Sequence, residues 1–424
     1  MNYESELREE LRELAEQNLY RRLRDVRIID ASRAVVDGRE VILLCSNDYL
    51  GLSSNKEVID HAISRMGSIS QCSSRLIAGN DPALVELESE LAKHKAKDRA
   101  LVYPTGYMAC LAIAALADEH SIIYSDELNH ASIIDACRLC KASVKVFKHN
   151  DVANLRELLA SSSPSPSSSP LSSSSSSSLT TTNSRRGCEN SRRRRRRIVI
   201  TEGVFSMDGD MARLDEIGRL CREYDAMLVV DDAHGDFIYG KNHRGTAEHM
   251  GAEHDVDVVI SSMSKALGCF GGYVAGSNDI IEYLINRSRT FIYTSALPAL
   301  FARAALKALK IVRDGIIEHD GKMVRVHERL VTNTRILRDA LAEKGFNLKG
   351  STHIIPVLIG NEKVAVDFAN MLFEHGVFAQ PVRYPTVAKG SARIRLSVTA
   401  LHDEHMLKHV VDVFSMVGKE LNLI

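Results

Sequence analysis

The sequence contains no apolar run of about 18 residues, the length that a membrane-spanning helix needs. Its first 24 residues form a charged amphipathic helical pattern and lack the apolar core of a signal peptide. We therefore expect a soluble protein that begins with a helix.

Cysteine is scarce, with eight residues in a chain of 424. The eight are scattered, and several lie inside apolar runs, so the pattern indicates reduced thiols and a cytoplasmic protein instead of a disulfide framework. Cys137 and Cys140 have the spacing of a redox or metal pair. They lack a second pair and lie in a helical pattern, which favours core packing.

Positive charge is concentrated in one segment. The formal net charge is −1, but residues 161–197 hold eight arginines and one glutamate, a local charge of +7 that leaves −8 for the rest. An acidic body disfavours a general nucleic-acid surface and favours small-molecule partners. The serine-rich segment has almost nothing to bury and is predicted to be a disordered insertion in a loop. Its arginine tract, residues 192–197, could bind RNA, a membrane surface or nothing, and a solvated stretch is favoured.

Short apolar runs alternate with amphipathic helical patterns over the first two thirds of the chain. The strand candidates are VILLCS, RALVYPTG, SIIYSDE, SVKVFKHND, RIVITEGVF, AMLVVDDAH, DVVISSMSK and GGYVAG. This alternation predicts an α/β fold with a mainly parallel sheet covered by helices on both sides.

The pattern changes near residue 290. Long helices predicted over residues 300–313 and 324–344 precede the short strands HIIPVLIG and ARIRLSV and a terminal helix, which is typical of an α+β unit. Because 424 residues exceed the size of most single cores, we expect more than one domain. The predicted boundaries are an N-terminal helix and arm over 1–45, a large domain over 46–290 and a small C-terminal domain over 291–424.

The ends of the predicted strands carry the chemistry, because ligands bind at the carboxyl ends of strands in open parallel sheets. Lys265 follows a strand, with Ser262 and Ser264 beside it and glycines after it. A lysine at a strand end is ordinarily a surface charge. A desolvated lysine has a lowered pKa and can form a Schiff base, and the two hydroxyls could bind a phosphate.

A second strand end carries Asp231, with His234 three residues later. A buried carboxylate can hold a pyridine nitrogen protonated, while the imidazole reaches the neighbouring phenolic oxygen. The same run could be a metal site, but no further carboxylate or histidine cluster adjoins it in the sequence.

Two weaker signals accompany these. Gly106 and Tyr107 open a predicted long apolar helix directly after a strand, and a helix N-terminus that a glycine keeps open can bind phosphate. His130 lies in a loop after another strand, where an imidazole can stack on a flat cofactor, although a lone histidine is more often structural.

Together with these residues, several long motifs resemble the fold-type I pyridoxal-phosphate enzymes, and specifically the α-oxoamine synthase family. The motifs are SNDYLGL, SRLIAGN, SDELNHASIID, HNDVANL, TEGVFSMDGD, VDDAHG, SKALG and FIYTSALP, in the family's order. The chain departs from the family's usual residues at Ser68–Ser74, at Asp236 and Phe237, and at Cys269, where the family usually has glycine or other small residues.

The resemblance implies pyridoxal 5'-phosphate as the cofactor and a role for each matching residue. Lys265 would bind the cofactor covalently, Asp231 would contact the pyridine nitrogen, and His130 would stack on the ring. The other implied cofactor contacts are Gly106, Tyr107, Ser206, His234 and Ser262, with Thr294 or Ser295 reaching the phosphate of the neighbouring subunit in a homodimer.

The resemblance also implies the reaction, a decarboxylative condensation of an amino acid with an acyl-CoA. Arg383 with Thr386 favours alanine and pimeloyl-CoA, giving 8-amino-7-oxononanoate, CoA and CO2 in biotin biosynthesis, because an arginine can pair with the acyl carboxylate. Arg21 and Asn47 would also contact substrate. Tyr384 and the run RLCKA favour the alternative, a glycine C-acetyltransferase.

Two further readings concern other classes of protein and site. The departures from the family's small residues also fit a protein that binds the cofactor without turnover. His402, His405 and His409 could share one helix face and bind zinc, but no acidic partner is evident, so a solvated face is favoured.

Overall fold

The structure is a computed structural model, and it describes residues 3–64, 66–162 and 195–424. Its strands are β1 (Val26–Ile28), β2 (Arg33–Val36), β3 (Arg39–Leu43), β4 (Arg99–Tyr103), β5 (Ile122–Asp126), β6 (Ser143–Phe147), β7 (Arg197–Glu202), β8 (Met227–Asp231), β9 (Val258–Ser262), β10 (Gly272–Gly276), β11 (Ile316–His319), β12 (Lys322–Arg325), β13 (Ile354–Gly360), β14 (Val377–Phe378), β15 (Pro381–Val382) and β16 (Ala392–Ser397). Every strand candidate from the sequence coincides with one of them.

The helices pack around these strands. They are α1 (Tyr3–Glu16), α2 (Lys56–Ser64), α3 (Pro82–Lys95), α4 (Gly106–Cys110), α5 (Ile113–Leu116), α6 (Ala131–Leu139), α7 (Val152–Ser161), α8 (Leu214–Glu223), α9 (Thr246–His249), α10 (Asn278–Arg287), α11 (Arg289–Ile292), α12 (Ala299–Asp314), α13 (Val326–Glu343), α14 (Glu362–Glu374) and α15 (Glu404–Glu420), with a π-helix over Arg75–Gly79.

The central sheet has seven strands in the order β4-β10-β9-β8-β7-β5-β6. The five strands from β9 to β6 are parallel, and β10 pairs antiparallel with both of its neighbours. This confirms the predicted α/β fold with a mainly parallel sheet, and it places the carboxyl ends of β7, β8 and β9 side by side.

Both faces of the sheet are covered because alternate residues of each strand point to opposite sides. On β8, Val229 packs with α4, α5 and α6, whereas Leu228 and Val230 pack with α7 and α8. Cys137 belongs to the first of these cores, as its predicted packing role requires. The seven cysteines of the described residues are all free.

Three smaller sheets complete the described part of the fold. One has the order β13-β16-β15, and one is the pair β11-β12. The third, β1-β2-β3-β14, joins the N-terminal strands to the C-terminal part through the parallel pair β3 and β14. Within the described residues, no helix is long and apolar enough to cross a membrane. The domain boundaries drawn from the sequence stay predictions.

Three sequence-based boundaries need correction. The helix predicted to start at Val324 starts at Val326, because residues 316–325 form the hairpin of β11 and β12. The long helix predicted after Gly106 is two short helices, α4 and α5, which the turn at residues 111–112 separates.

The predicted insertion over 161–197 falls mostly on residues 163–194, which lie outside the described residues. Its two ends belong to regular structure instead, since Ser161 ends α7 and Arg197 begins β7. The last three arginines of the tract donate hydrogen bonds to backbone carbonyls: Arg195 to His120, Arg196 to Leu116, and Arg197 to Tyr224 and Ser162.

Of the histidines considered for zinc, His405 and His409 are exposed on α15, as a solvated face requires, but His402 does not share that face. His402 is fully buried ahead of α15, where its Nδ1 accepts from the Thr399 N–H and its Nε2 lies 3.1 Å from the Leu43 carbonyl. His409 contacts the carbonyl of His375. No group of three or more metal-ligating side chains occurs in the parts of the chain that the structure describes.

One buried ion cluster ties the loops at the sheet edge together. His149 lies with Nδ1 3.0 Å from Asp126 Oδ1 and Nε2 2.9 Å from Asp210 Oδ2. Burial disfavours the charged imidazole, but the hydrogen bonds and charges of the two aspartates outweigh it and raise the pKa of His149 to about 10.

We expect His149→Gln to lower the free energy of unfolding by about 2 kcal/mol at pH 6, the scale of a hydrogen bond to a charged group. Between pH 6.5 and 10 the unfolded state loses the proton that the folded state keeps, so the contribution of His149 declines across this range and is absent above it. Urea unfolding at several pH values measures this, with His254→Gln, an exposed histidine, as the control. An equal loss at pH 6 and pH 10.5 would contradict the assignment.

Candidate active site

Three ionisable residues lie at the carboxyl ends of adjacent parallel strands. Glu202 ends β7 and Asp231 ends β8 as its cross-strand partner, while Lys265 follows β9 by three residues. Asp231 and Glu202 are both close enough to Lys265 to interact with its charge. The two predicted residues Lys265 and Asp231 are therefore brought together by the sheet.

Burial lowers the pKa of the Lys265 amine, and the charges of Asp231 and Glu202 oppose that shift. Among the described residues no hydrogen bond or ion pair holds the amine. Burial also raises the pKa of Glu202 to about 8, with the Asp231 charge adding to the effect, and Glu202 Oε1 is buried without a hydrogen-bond partner. The pocket thus holds a reactive amine and a carboxyl group that is neutral at pH 7.

The Asp231 carboxylate is held at both oxygens. The Ala233 N–H donates to Oδ1 at 3.0 Å, and the Cys110 thiol lies 3.0 Å from Oδ2. His234, on the next turn, is buried, and burial lowers its pKa well below the usual value. Its Nδ1 is 2.7 Å from the Tyr49 hydroxyl, so a neutral imidazole is fixed in one orientation.

Gly106 begins α4 directly against β9. A methyl group at Gly106 would lie 2.8 Å from Ser262 Cβ, so only glycine allows this approach. Ser262 Oγ is 2.7 Å from Ser264 Oγ, and both hydroxyls lie beside the start of α4. The predicted residue Tyr107 is half exposed, and its hydroxyl donates to Asp135.

His130 caps the N-terminus of α6. Its Nδ1 is 2.8 Å from Ser132 Oγ, and burial lowers its pKa, with Asp231 and Lys265 among the charges that it senses. The imidazole is therefore neutral at pH 7 and lies near the strand-end cluster.

Arg395 is a site residue that the sequence reasoning missed. It is 8% exposed and donates to the Ser206 carbonyl, Asn47 Oδ1 and the Tyr49 hydroxyl. These acceptors include the predicted residues Ser206 and Asn47. No carboxylate pairs with Arg395 among the described residues, so its charge is available to an anionic ligand. The available signal was the alternation of two arginines, Arg393 and Arg395, with apolar residues in the strand ARIRLS.

The predicted substrate residues Arg21, Arg383 and Thr386 line one cavity of about 580 Å³. Arg383 donates to the Tyr20 carbonyl at 2.9 Å, while its Nε is buried without a partner. Burial and the Arg21 charge lower the pKa of Arg383. Two adjacent cations with an unused donor favour an anionic group in this cavity.

Thr294 and Ser295 do not contact the strand-end cluster of the same chain through any described hydrogen bond. They follow Tyr293, whose ring is 71% exposed, in a segment joined to residues 66–79 by the hydrogen bond from Ala296 N to Ser73 O. Ile69 and Ile77 of that segment are 81% and 83% exposed.

The departures at Asp236 and Phe237 have partners in the structure. Asp236 accepts from the fully buried Lys95 at 2.9 Å and from Tyr273, and Asp232 lies 3.7 Å from the same amine. Phe237 has a φ of +64°, is fully buried and stacks on the ring of His94. An ion pair and an aromatic stack thus fill the space behind the turn that carries Asp231.

The family model "aminotransferase class I and II" matches residues 39–414, and the chain belongs to this family. It is 40% identical to the 8-amino-7-oxononanoate synthase of Geobacter sulfurreducens, over 98% of each chain. It is 38% identical to the protein of that name from Thermoanaerobacter pseudethanolicus, over 99% of this chain and 98% of the other.

Solved structures have the same fold. A serine palmitoyltransferase from S. paucimobilis with a bound PLP-myriocin aldimine aligns with a TM-score of 0.85 and 26% identity over 100% of both chains. The 8-amino-7-oxononanoate synthase of Francisella tularensis aligns with a TM-score of 0.68 and 26% identity, over 91% of this chain and 99% of the other. The sequence-based resemblance to this group of enzymes is confirmed.

Proposed function

We propose that this chain condenses L-alanine with pimeloyl-CoA to form 8-amino-7-oxononanoate, CoA and CO2, with pyridoxal 5'-phosphate as its cofactor, in biotin biosynthesis. The observation that carries the proposal is the partly buried Lys265 amine, which is close enough to the Asp231 carboxylate at the adjacent strand end to interact with its charge. The full-length relatives that carry the synthase name support the choice of reaction.

The residues fit the cofactor at each of its functional groups. Lys265 offers an amine of lowered pKa to the aldehyde, and Asp231 offers a carboxylate to the pyridine nitrogen. Ser262 and the open backbone at Gly106 would receive the phosphate. His130 would stack on the ring, and His234 with Ser206 would hold the phenolic oxygen.

When bound, the pyridine ring supplies an electron sink for negative charge at the Cα atom of the amino acid. Asp231 favours this by holding a proton on the ring nitrogen. Lys265, once its amine is free, takes the proton from Cα and returns it after loss of CO2. Burial lowers the pKa of the amine and so increases the fraction in the basic form that accepts this proton.

Arg395 would bind the carboxylate of alanine. Its guanidinium is buried among neutral acceptors, so an incoming carboxylate supplies the missing counter-charge. Asn47 and Tyr49 fix the guanidinium plane, which sets the direction from which the amino acid enters.

Arg383 would bind the distal carboxylate of the pimeloyl chain, with Arg21 and Thr386 beside it. The supporting observation is the pair of adjacent cations in the cavity of about 580 Å³. A glycine C-acetyltransferase would have no use for a second carboxylate-binding arginine at the acyl chain, because the acetyl group is uncharged.

We further propose that the enzyme acts as a homodimer, with Thr294 or Ser295 reaching the phosphate bound to the other subunit. The exposed apolar side chains Ile69, Ile77 and Tyr293 support it, since such patches mark protein interfaces.

We expect Lys265→Ala to abolish the cofactor's absorbance band near 420 nm, a rough value for a lysine-bound aldehyde, and CoA release from alanine and pimeloyl-CoA. The variant lacks the amine that binds the aldehyde and moves the Cα proton. Absorbance spectra after incubation with pyridoxal 5'-phosphate measure this, with the exposed Lys241→Ala as control. A wild-type spectrum in Lys265→Ala would overturn the proposed function.

We expect Arg383→Ala to raise KM for pimeloyl-CoA by about 10- to 100-fold, the scale of a lost hydrogen bond to a charge. Activity with acetyl-CoA, which has no distal carboxylate, should not fall. CoA release with alanine or glycine and with pimeloyl-, succinyl- or acetyl-CoA measures this, with the exposed Arg39→Ala as control. Preference of the wild type for glycine and acetyl-CoA would favour the alternative reaction instead.

The trans role of Thr294 and Ser295 predicts complementation between inactive subunits. Mixing Lys265→Ala chains with Thr294→Ala/Ser295→Ala chains should restore about a quarter of wild-type activity, because half of the random dimers hold one complete site of two. The mixture is unfolded, refolded together and assayed for CoA release. Activity no higher than that of the separate variants would show that the two residues serve their own subunit.

A further inference from the structure

The Asp231 carboxylate has a thiol as its second hydrogen-bond donor. Cys110 is the last residue of α4, is 3% exposed, and places Sγ 3.0 Å from Asp231 Oδ2. The other described donor to this carboxylate is the Ala233 N–H at Oδ1. The backbone holds Oδ1, and the thiol therefore fixes the position of Oδ2.

Ser132 acts on His130 and not on Cys110. The buried Ser132 hydroxyl lies 2.8 Å from His130 Nδ1, and Nδ1 also accepts the Ser132 N–H. The hydroxyl proton is therefore directed at the imidazole, and the effect of Cys110 falls on Asp231.

The Cys110 side chain is suited to act as a neutral thiol that donates a hydrogen bond, and not as a thiolate. Burial raises the pKa of its thiol well above the usual value, and the Asp231 charge adds to this effect. The S–H proton therefore stays on sulfur and points at an ionised acceptor. Hydrogen bonds to charged acceptors are stronger than neutral ones.

The start of α4 fixes where the thiol lies. Gly106 packs against Ser262, and Thr105 caps the helix by accepting from the Met108 N–H at 3.1 Å. Because the first turn of α4 is held against β9, Cys110 at the other end of the helix lies next to the end of β8. The two ends of α4 thus face the predicted phosphate site and the predicted ring-nitrogen partner.

We propose that Cys110 is a positioning residue that orients Asp231 toward the cofactor ring. The inference rests on the proposed function, because it concerns the affinity of the site for pyridoxal 5'-phosphate. The thiol performs no bond-making step. It keeps the carboxylate turned toward the ring nitrogen before the cofactor arrives.

Three variants test this role. Cys110→Ser keeps a donor, and Cys110→Val fills a similar volume without one. Cys137→Ala is the matched control, because Cys137 is a buried cysteine of the same apolar core with no described contact to Asp231. The Kd for pyridoxal 5'-phosphate and the absorbance maximum of the bound cofactor are measured for each, together with Tm.

We expect Cys110→Val to raise the Kd about tenfold, the order expected for one lost hydrogen bond to a charge, and to shift the absorbance maximum. Cys110→Ser should stay within about threefold of wild type, as rescue by a donor requires. Cys137→Ala should lower Tm without changing the Kd.

A Kd for Cys110→Val within threefold of wild type would overturn the inference, as would a folded Cys110→Ser that binds as weakly as Cys110→Val. If Cys110→Val does not fold, Cys110→Ala takes its place under the same criteria. Failure of the wild type to bind pyridoxal 5'-phosphate would overturn the proposed function itself, which separates the two outcomes.

Discussion

The burial of a lysine next to a carboxylate is the constraint on which the rest of this structure depends. An isolated charge in a protein interior costs several kcal/mol, so Lys265 and Asp231 are tolerated because each reduces the cost of the other. Glu202 shares the pocket, and its raised pKa leaves it neutral at pH 7. The site therefore holds a carboxylate close to an amine, an arrangement that suits an aldehyde cofactor with a basic ring nitrogen.

The parallel sheet is what brings these groups together. Strands β7, β8 and β9 are hydrogen-bonded neighbours, so residues that are 29 or more positions apart in the sequence end at one edge. Two glycines then let α4 pack closely against the sheet. A Cβ atom added at Gly106 would lie 2.8 Å from Ser262, and one added at Gly272 would lie 2.5 Å from Gly106. This close packing of the start of α4 against β9 determines where Cys110 contacts Asp231.

Two large buried residues, Asp236 and Phe237, lie behind the turn that carries Asp231, and each has a partner. Asp236 is paired with the buried Lys95. Phe237 adopts a left-handed backbone conformation that is unfavourable for an aromatic residue, and its stacking on His94 offsets part of that cost. These two residues support the Asp231 turn from behind.

The sequence by itself determined the alternating strands and helices, the α/β class and the identity of Lys265, Asp231 and His234 as strand-end residues. These follow from local patterns, since apolar periodicity and the residue after a strand are visible in a short window. The roles assigned to those residues, and the domain boundaries, stay predictions until they are measured.

Only the tertiary structure decided which distant residues meet. Arg395 and Cys110 look like ordinary residues of an apolar strand and an apolar helix, and their role is evident only from contacts with Tyr49 and Asp231. His402 was misjudged for the same reason, since a fully buried imidazole and an exposed one can have identical sequence neighbours. A side chain's partners depend on long-range packing and desolvation, which no local pattern encodes.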